Sequence, residues 1–354
     1  NVKPGDFDIS GNYFELKKVA LENTFFNLHN YKGEEKTNLQ FIINYFKSTK
    51  KKPQERKYPV KIMVRDFELS GSGFSYADDN KAHNNPDVVD FHDISFTRLN
   101  IKMENVAIIG DSVAGTIKSL ELKEKSGFVV GGFSAKTVVS KRNIRINDLL
   151  VKTPNSNLDL DLGFTYDDFS CFKDFVNKVT INSDIRSTGL NLIDMAYFVR
   201  EMHGMNNLIC FSSGVIGKVS NLKIKNFMMK YGSDTYFDGD ISMNGLPHIK
   251  NTYINMKIRR LITSVGDLNN IVIPAANRSV THLKLPQMLL RMGNINIKGI
   301  FTGFYSNFVS YATLNSDVGS ISTDIIVKNE NKVITYDGKV TTENFSLGQL
   351  VNSD

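Results

Sequence analysis

Leu158-Asp159-Leu160-Asp161-Leu162-Gly163-Phe164-Thr165-Tyr166 sets apolar and polar side chains in strict alternation. Successive side chains of an extended chain point to opposite sides, so this run reads as a strand with a dry face and a wet face. The same period recurs at Ile144 and Ile146 around Arg145. It returns at Ile254, Met256 and Ile258 around Asn255 and Lys257, and at Ile295 and Ile297 around Asn296. Composition agrees. Phe (24) and Tyr (13) are plentiful while Trp is absent, and aromatic side chains suit the half-buried surface of a sheet.

Turn residues punctuate these runs at Ser70-Gly71-Ser72-Gly73, Asp78-Asp79-Asn80, Pro154-Asn155-Ser156-Asn157, Asn329-Glu330-Asn331 and Asp337-Gly338. Gly, Asn and Asp tolerate turn dihedrals that other residues avoid. Short strands at such spacing predict an all-β architecture. A loose repeat runs through it. Gly115–Lys123 resembles Gly217–Lys225, and Gly338-Lys-Val340 with Phe345 and Leu347 makes a weaker third copy. Each copy predicts a strand, a bend near Ser-Asn and a second strand, a unit that must stack on neighbours to bury its apolar side.

Helical spacing is confined to four short insertions. Leu39, Ile42, Ile43 and Phe46 predict one near 38–48, with Thr37 or Asn38 as its cap. Phe169, Phe172, Phe175 and Val176 predict a second over 169–178. Met195, Phe198, Val199 and Met202 predict a third over 194–203, ended by Gly204. Leu285, Met288, Leu289 and Met292 predict a fourth over 285–292, with Pro286 in its first turn. Four short helices cannot roof this many one-sided strands. The sheet must curl on itself or offer its dry face to a ligand. About 25 strands at about 4.8 Å each give a single body, 1–354, on the order of 100 Å long.

Catalytic chemistry finds no foothold in this pattern. GxSxG, P-loop and HExxH motifs are absent from the sequence. Asp78, Asp79, His83, Asp87, Asp90, His92 and Asp93 crowd one segment, but without zinc or calcium ligand spacing they read as a polar loop. Asp159 and Asp161 share the wet face of one strand and read as solvated. Gly131-Gly132 reads as a bulge or a close backbone approach. Met195, Met202, Met205, Met228 and Met229 read as core filling. The net charge of +6 is scattered, and its one dense run, Lys47–Lys57, reads as a loop, so nucleic acid is not an expected partner. Cys171 and Cys210 fit either one disulfide or two thiols. No apolar run reaches the roughly 18 residues of a membrane span. The chain opens on NVKPGDFDIS and ends on LGQLVNSD, which reads as a piece of a longer protein whose anchor is outside it.

Several stretches resemble the AsmA/TamB superfamily, in particular the Bacteroidetes-type translocation and assembly modules of the TamB kind. They are Val19–Leu28, Tyr31–Gly33, Asn38–Phe46, Lys125–Phe128, Leu150–Ser156, Gly217–Leu222 with Lys225–Phe227, and Gly299–Tyr305. The resemblance runs from about Phe7 to Leu350. It implies an elongated U-shaped sheet, the β-taco, with a hydrophobic groove along it. It also implies a periplasmic location, an inner-membrane anchor outside this chain, and transfer of phospholipid to the outer membrane without enzymatic activity or cofactor. The residues expected to face acyl chains are Leu158, Leu160, Leu162 and Phe164 of the first run. Ile254, Met256 and Ile258 of the second run and Ile295 and Ile297 of the third join them. The alternative is a scaffold for outer-membrane β-barrel assembly with a BamA- or TamA-like partner.

Overall fold

The computed structural model describes residues 1–8, 11–40, 60–82, 86–274, 280–330 and 333–351. The chain is mainly β, with 64% strand against 10% helix, so sheet faces and not helix stripes decide what is buried. It divides into two compact units, residues 1–157 with 194–201 and residues 158–193 with 202–354.

The first unit holds β1 (Val2–Asp8), β2 (Tyr13–Glu22), β3 (Phe25–Asn30), β4 (Lys61–Asp78), β5 (Asp93–Ile109), β6 (Ser112–Glu124), β7 (Val129–Val130), β8 (Gly132–Val139) and β9 (Asn143–Lys152). The ladder runs β1–β2–β4–β5–β6–β8–β9 and is antiparallel except where β2 meets β4. β3 follows β2 along the same edge of β4, also parallel, and β7 lies beside β6 just before β8. Gly131 separates β7 from β8 and donates its N–H to the Lys152 carbonyl at 2.8 Å, the close backbone approach that the glycine pair suggested.

The second unit holds β10 (Asn157–Thr165), β11 (Thr180–Asn191), β12 (Leu208–Lys218), β13 (Asn221–Tyr231), β14 (Thr235–Asn244), β15 (Tyr253–Ser264), β16 (Val272–Pro274), β17 (Val280–His282), β18 (Asn294–Gly303), β19 (Phe308–Ser316), β20 (Gly319–Glu330) and β21 (Val333–Glu343). β11 to β15 and β18 to β21 form an antiparallel meander, and β16 and β17 pair only with each other as a separate hairpin. Leu158–Phe164, Ile144–Ile146, Ile254–Ile258 and Ile295–Ile297 all lie in strands, as the alternation predicts.

Two expected turns are strand interiors instead. Ser70–Gly73 lies within β4, where Gly71 (φ 56°) sits at a register shift between Leu69 and Ser72. Asp337-Gly338 lies within β21, and the register with β20 passes through Gly338 (φ 133°) unbroken. The same backbone freedom that serves a turn serves a kink in a paired strand. The repeat fails for a related reason. Gly217–Lys225 does turn between β12 and β13, but Gly115–Lys123 is one continuous stretch of β6.

Of the four helical insertions, 169–178 is a 3-10 turn, Phe169–Asp174, followed by a helical turn, Phe175–Lys178. Asp168 caps it by accepting from the Ser170 N–H at 2.7 Å. The 285–292 insertion is the helix Gln287–Leu290. In place of 194–203 there is a helix Leu192–Met195 and a 3-10 turn Arg200–Met202. Asp194 is buried and accepts from Thr153, Asn155 and Ser156, which ties it to the turn after β9. Beyond Gln40, the helix expected near 38–48 lies outside the described residues, with the basic run 47–57. Leu39 and Gln40, directly after Asn38, are helical. The Asn38 amide accepts from the His29 N–H at 3.1 Å and donates to the Asn27 carbonyl at 3.0 Å, along the edge of β3.

Within the second unit, β-bulges line up across the sheet. β11 carries an extra residue between Ile185 and Thr188, β13 between Ile224 and Phe227, and β15 between Ile258 and Leu261. Each extra residue shifts the alternation by one. In β13, Leu222 and Ile224 are half-buried, Lys225 and Asn226 are both exposed, and Phe227, Met229 and Tyr231 are half-buried again. Asn226 takes φ 51° to make the step. The apolar residues therefore stay on one face although their numbering changes from even to odd. The row of them runs transversely across the sheet as a crease in its hydrogen-bond ladder, and bulges are where strands bend and twist more strongly. In the first unit Asn23 (φ 51°), just past the end of β2, lies beside Gly71 on β4, and Arg98 (φ 54°) sits at the matching register shift on β5.

Candidate functional site

The dry face of the second unit is a grid whose rows follow the register. One row is Val215, Ile224, Ile241, Met256 and Phe301 from β12 to β18. A second is Phe211, Met229, Phe237, Leu261, Ile297 and Leu314. Between them, along the crease, runs a row of smaller side chains in which Gly239, Ile258, Gly299 and Ala312 stand opposite one another. Gly299 must be glycine, because a Cβ there would meet the Tyr311 carbonyl oxygen at 2.3 Å and the Ala312 Cα at 2.6 Å.

One end of this grid is roofed. Met292, Ile295 and Val318 are 5–6% exposed and pack with Leu268, Leu289, Ile297, Leu314, Ile321 and Phe345. The roof is the helices Val265–Asn269 and Gln287–Leu290. The first of these is fixed by Asp267, whose carboxylate accepts from the backbone N–H groups of Ser233, Asp234 and Thr235 and from the Thr235 hydroxyl. Burial pushes this carboxyl upward, but those four donors outweigh it and hold the group below the ordinary range. On another margin, Phe164 packs edge-on against Phe172 and Phe175 at 6.3 and 5.6 Å, while Tyr166, Cys171 and Val179 are buried.

Between these margins Ile224, Ile241, Ile254, Met256, Ile258 and Phe301 are only half-buried. A cavity of about 380 Å³ lies over this stretch, lined by Met256, Ile258, Phe301, Ile297, Leu314 and Ile321 among others. That volume is within the ~300–1,000 Å³ typical of small-molecule sites, and its lining contains no charged side chain. A smaller cavity, about 190 Å³, lies under the roof between Met205, Ile209, Met229 and Leu268.

Of the nine residues expected to face acyl chains, Met256, Ile258 and Ile297 line the larger cavity and Ile254 is in the same open region. Ile295 is 5% exposed in the roofed cluster, and Phe164 is against the chain's own aromatic rings. Leu158, Leu160 and Leu162 are half-buried on β10, away from the cavity lining. Phe301, Ile241 and Leu314 went unmarked in the sequence reading. Phe301 was legible, since Ile295, Ile297, Gly299 and Phe301 keep one period, with the glycine interrupting the apolar count.

The opposite face holds the crease in shape. Arg259, at the β15 bulge, donates from Nε to Asp238 at 2.8 Å and reaches Asp240 with its other guanidinium nitrogen. Asp240 also accepts from the Asn226 N–H of the β13 bulge at 2.7 Å. That N–H first, and the Arg259 charge after burial's opposing effect, hold the Asp240 carboxyl below its usual range. Arg186, at the β11 bulge, does the same to Asp159 and Asp161 at 2.6 and 2.9 Å. The aspartate pair that read as solvated is therefore one half of an arginine clamp. A second Asp-x-Asp, at 238 and 240, repeats the arrangement.

Other chemistry-bearing residues have structural partners. Asp78 is buried and accepts from the Asn80 N–H at 3.0 Å and the Asn30 amide at 3.2 Å. Asp90 accepts from the His92 N–H at 2.9 Å, and His83 lies outside the described residues. Among the described residues no group of three or more His, Cys, Asp or Glu side chains is placed to hold a metal ion. Cys171 and Cys210 are free thiols, one buried and one exposed. No helix of the described residues is long and apolar enough to cross a membrane.

Compared with known proteins, the chain matches no family model, no curated protein and no solved structure.

Proposed function

We propose that this protein is a lipid carrier and not an enzyme, and that the open part of the second unit's dry face holds acyl chains. The observation that carries the reading is the contrast along that face. The same strands that bury Met292 and Ile295 under a roof leave Met256, Ile258 and Phe301 half-exposed around an apolar cavity. Each methylene moved from water onto such a surface contributes about 0.8 kcal/mol. A chain of hydrocarbon is therefore held without a polar contact to specify it, and is free to shift along equivalent rows. Curvature follows from the crease. Aligned bulges with glycines opposite them are the devices that bend a sheet, and on this reading they fold it into a U around the lipid, the β-taco. The resemblance to the AsmA/TamB superfamily fits the same picture. On this reading the protein works in the periplasm as a conduit for phospholipid between inner and outer membranes, its anchor supplied by other residues.

The test is native mass spectrometry of the purified chain. Copurified phospholipid is expected, and Met256→Glu combined with Phe301→Glu is expected to remove it while the circular dichroism spectrum stays that of a sheet. Leu160→Glu on β10, away from the cavity, is expected to leave it in place. Lipid occupancy that ignores the double substitution sinks the reading.

A further inference from the structure

The smaller cavity, under the roof of the second unit, has chemistry of its own. Its volume is about 190 Å³, more than the ~150 Å³ of an apolar cavity that takes up benzene. Met205, Ile209, Met229, Leu268 and Ile271 supply an apolar wall, and among the described residues that line it no side chain is charged. It shares no lining residue with the larger cavity around Met256, Ile258 and Phe301.

Its polar end is a matched pair, Asn207 and Tyr231. Asn207, just before β12, is fixed by its backbone carbonyl, which accepts from the Leu192 N–H at 3.0 Å. Its side-chain Nδ2 donates to the Tyr231 hydroxyl at 2.9 Å and lies 3.5 Å from the Asn270 carbonyl oxygen. A carbonyl can only accept, so the nitrogen is the end of the amide turned that way. That leaves Oδ1, which is buried and has no donor among the described residues. Tyr231 takes part as an acceptor, so its own O–H proton remains to donate. A buried acceptor left unpaired is costly. A hydroxyl group answers both needs at once, donating to Oδ1 and accepting from Tyr231. The third polar side chain at the cavity, Thr235, is already committed to Asp267 and Thr263 at 2.8 Å each. A water on the pair would leave the apolar wall bare, whereas an alcohol covers it. An anion is disfavoured, because the Asp267 carboxylate lies one hydrogen bond behind Thr235 and its charge is felt at Tyr231.

We propose that this cavity binds a small neutral alcohol or phenol, its hydrocarbon body on the apolar wall and its hydroxyl bridging Asn207 and Tyr231. The site does not rest on acyl-chain binding in the larger cavity. Phenol, toluene and benzoate, of similar size, test it at pH 7 by NMR titration of the chain labelled at its methionine methyl groups. Met205 and Met229 report on this cavity and Met256 on the larger one. Phenol is expected to shift Met205 and Met229 saturably, toluene to bind about tenfold more weakly, and benzoate to leave both signals in place. Asn207→Leu keeps the bulk without the orphaned acceptor, and Tyr231→Phe removes only the hydroxyl. Each is expected to weaken phenol about tenfold and to leave toluene within about twofold of wild type. Tyr231→Phe decides alone should Asn207→Leu fail to fold. Four results would each overturn the proposal: no saturable shift at Met205 and Met229, shifts at Met256 alone, toluene or benzoate binding as tightly as phenol, or a folded variant that binds phenol as wild type does.

Discussion

The dry face of the second unit has a roofed end and an open middle, built by the same strands from the same kinds of residue. Ile295 and Phe301 are both on β18, three alternations apart, yet Ile295 is 5% exposed and Phe301 is half-buried. Strand and residue type do not separate them. Two helices of four and five residues do. A sheet face becomes core only where a second layer covers it, so the placing of the short helices decides where the molecule is solid and where it can accept a guest.

Several substitutions would break or sharpen that contrast. Met292→Ala, in the roofed cluster, should cost about 2–4 kcal/mol in urea unfolding, as buried methionines do, whereas Met256→Ala in the open stretch should cost under about 1 kcal/mol. Equal losses would mean that the middle is also core. Asp267→Ala removes the acceptor for four donors beneath the roof. It should destabilise the second unit by about 2–3 kcal/mol, with hydrogen exchange rising first in Val265–Asn269. Asn226→Val forces a β-branched residue into a left-handed backbone and should cost about 1–2 kcal/mol, while Asn226→Gly should stay near wild type. A similar loss from both would show that the bulge depends on the amide side chain and not on the backbone. The smallest effect is expected from acid. Asp267 and Asp240 have lowered carboxyl pKa values in the folded chain, so their contribution is complete above the unfolded value of about 3.9 and drains away as pH falls through the lowered one. A thermal midpoint that is flat from pH 7 to about pH 5 and declines below about pH 4 is the expected profile. Asp267→Asn should blunt the decline.

Much of this was legible in the sequence. Strict alternation at Leu158–Tyr166, Ile254–Ile258 and Ile295–Ile297 predicts strands, and strands are there. Helical spacing at 169–178 and 285–292 likewise appears as short helical segments. Ser70–Gly73 and Asp337-Gly338 misled because a left-handed glycine ends one strand and merely kinks another, and the difference lies in what pairs alongside. The roof helix Val265–Asn269 went unread although Ser264 and Asp267 have the spacing of a helix start, and the Ser264 hydroxyl does accept from the Asp267 N–H at 3.1 Å. The cavity could not be foreseen residue by residue. Whether Ile295 or Met256 faces open space depends on where the helices Val265–Asn269 and Gln287–Leu290 come to rest, and alternation reports only which side of the sheet each one takes.

The bulges carry a consequence for insertions and deletions. A strand is written in a two-letter reading frame, in and out, and Asn226 is a built-in frameshift halfway along β13. Excising that one residue would give Leu222, Ile224, Phe227, Met229 and Tyr231 one unbroken period on the same dry face, and would erase the bulge and the N–H that Asp240 accepts from without altering a single apolar side chain.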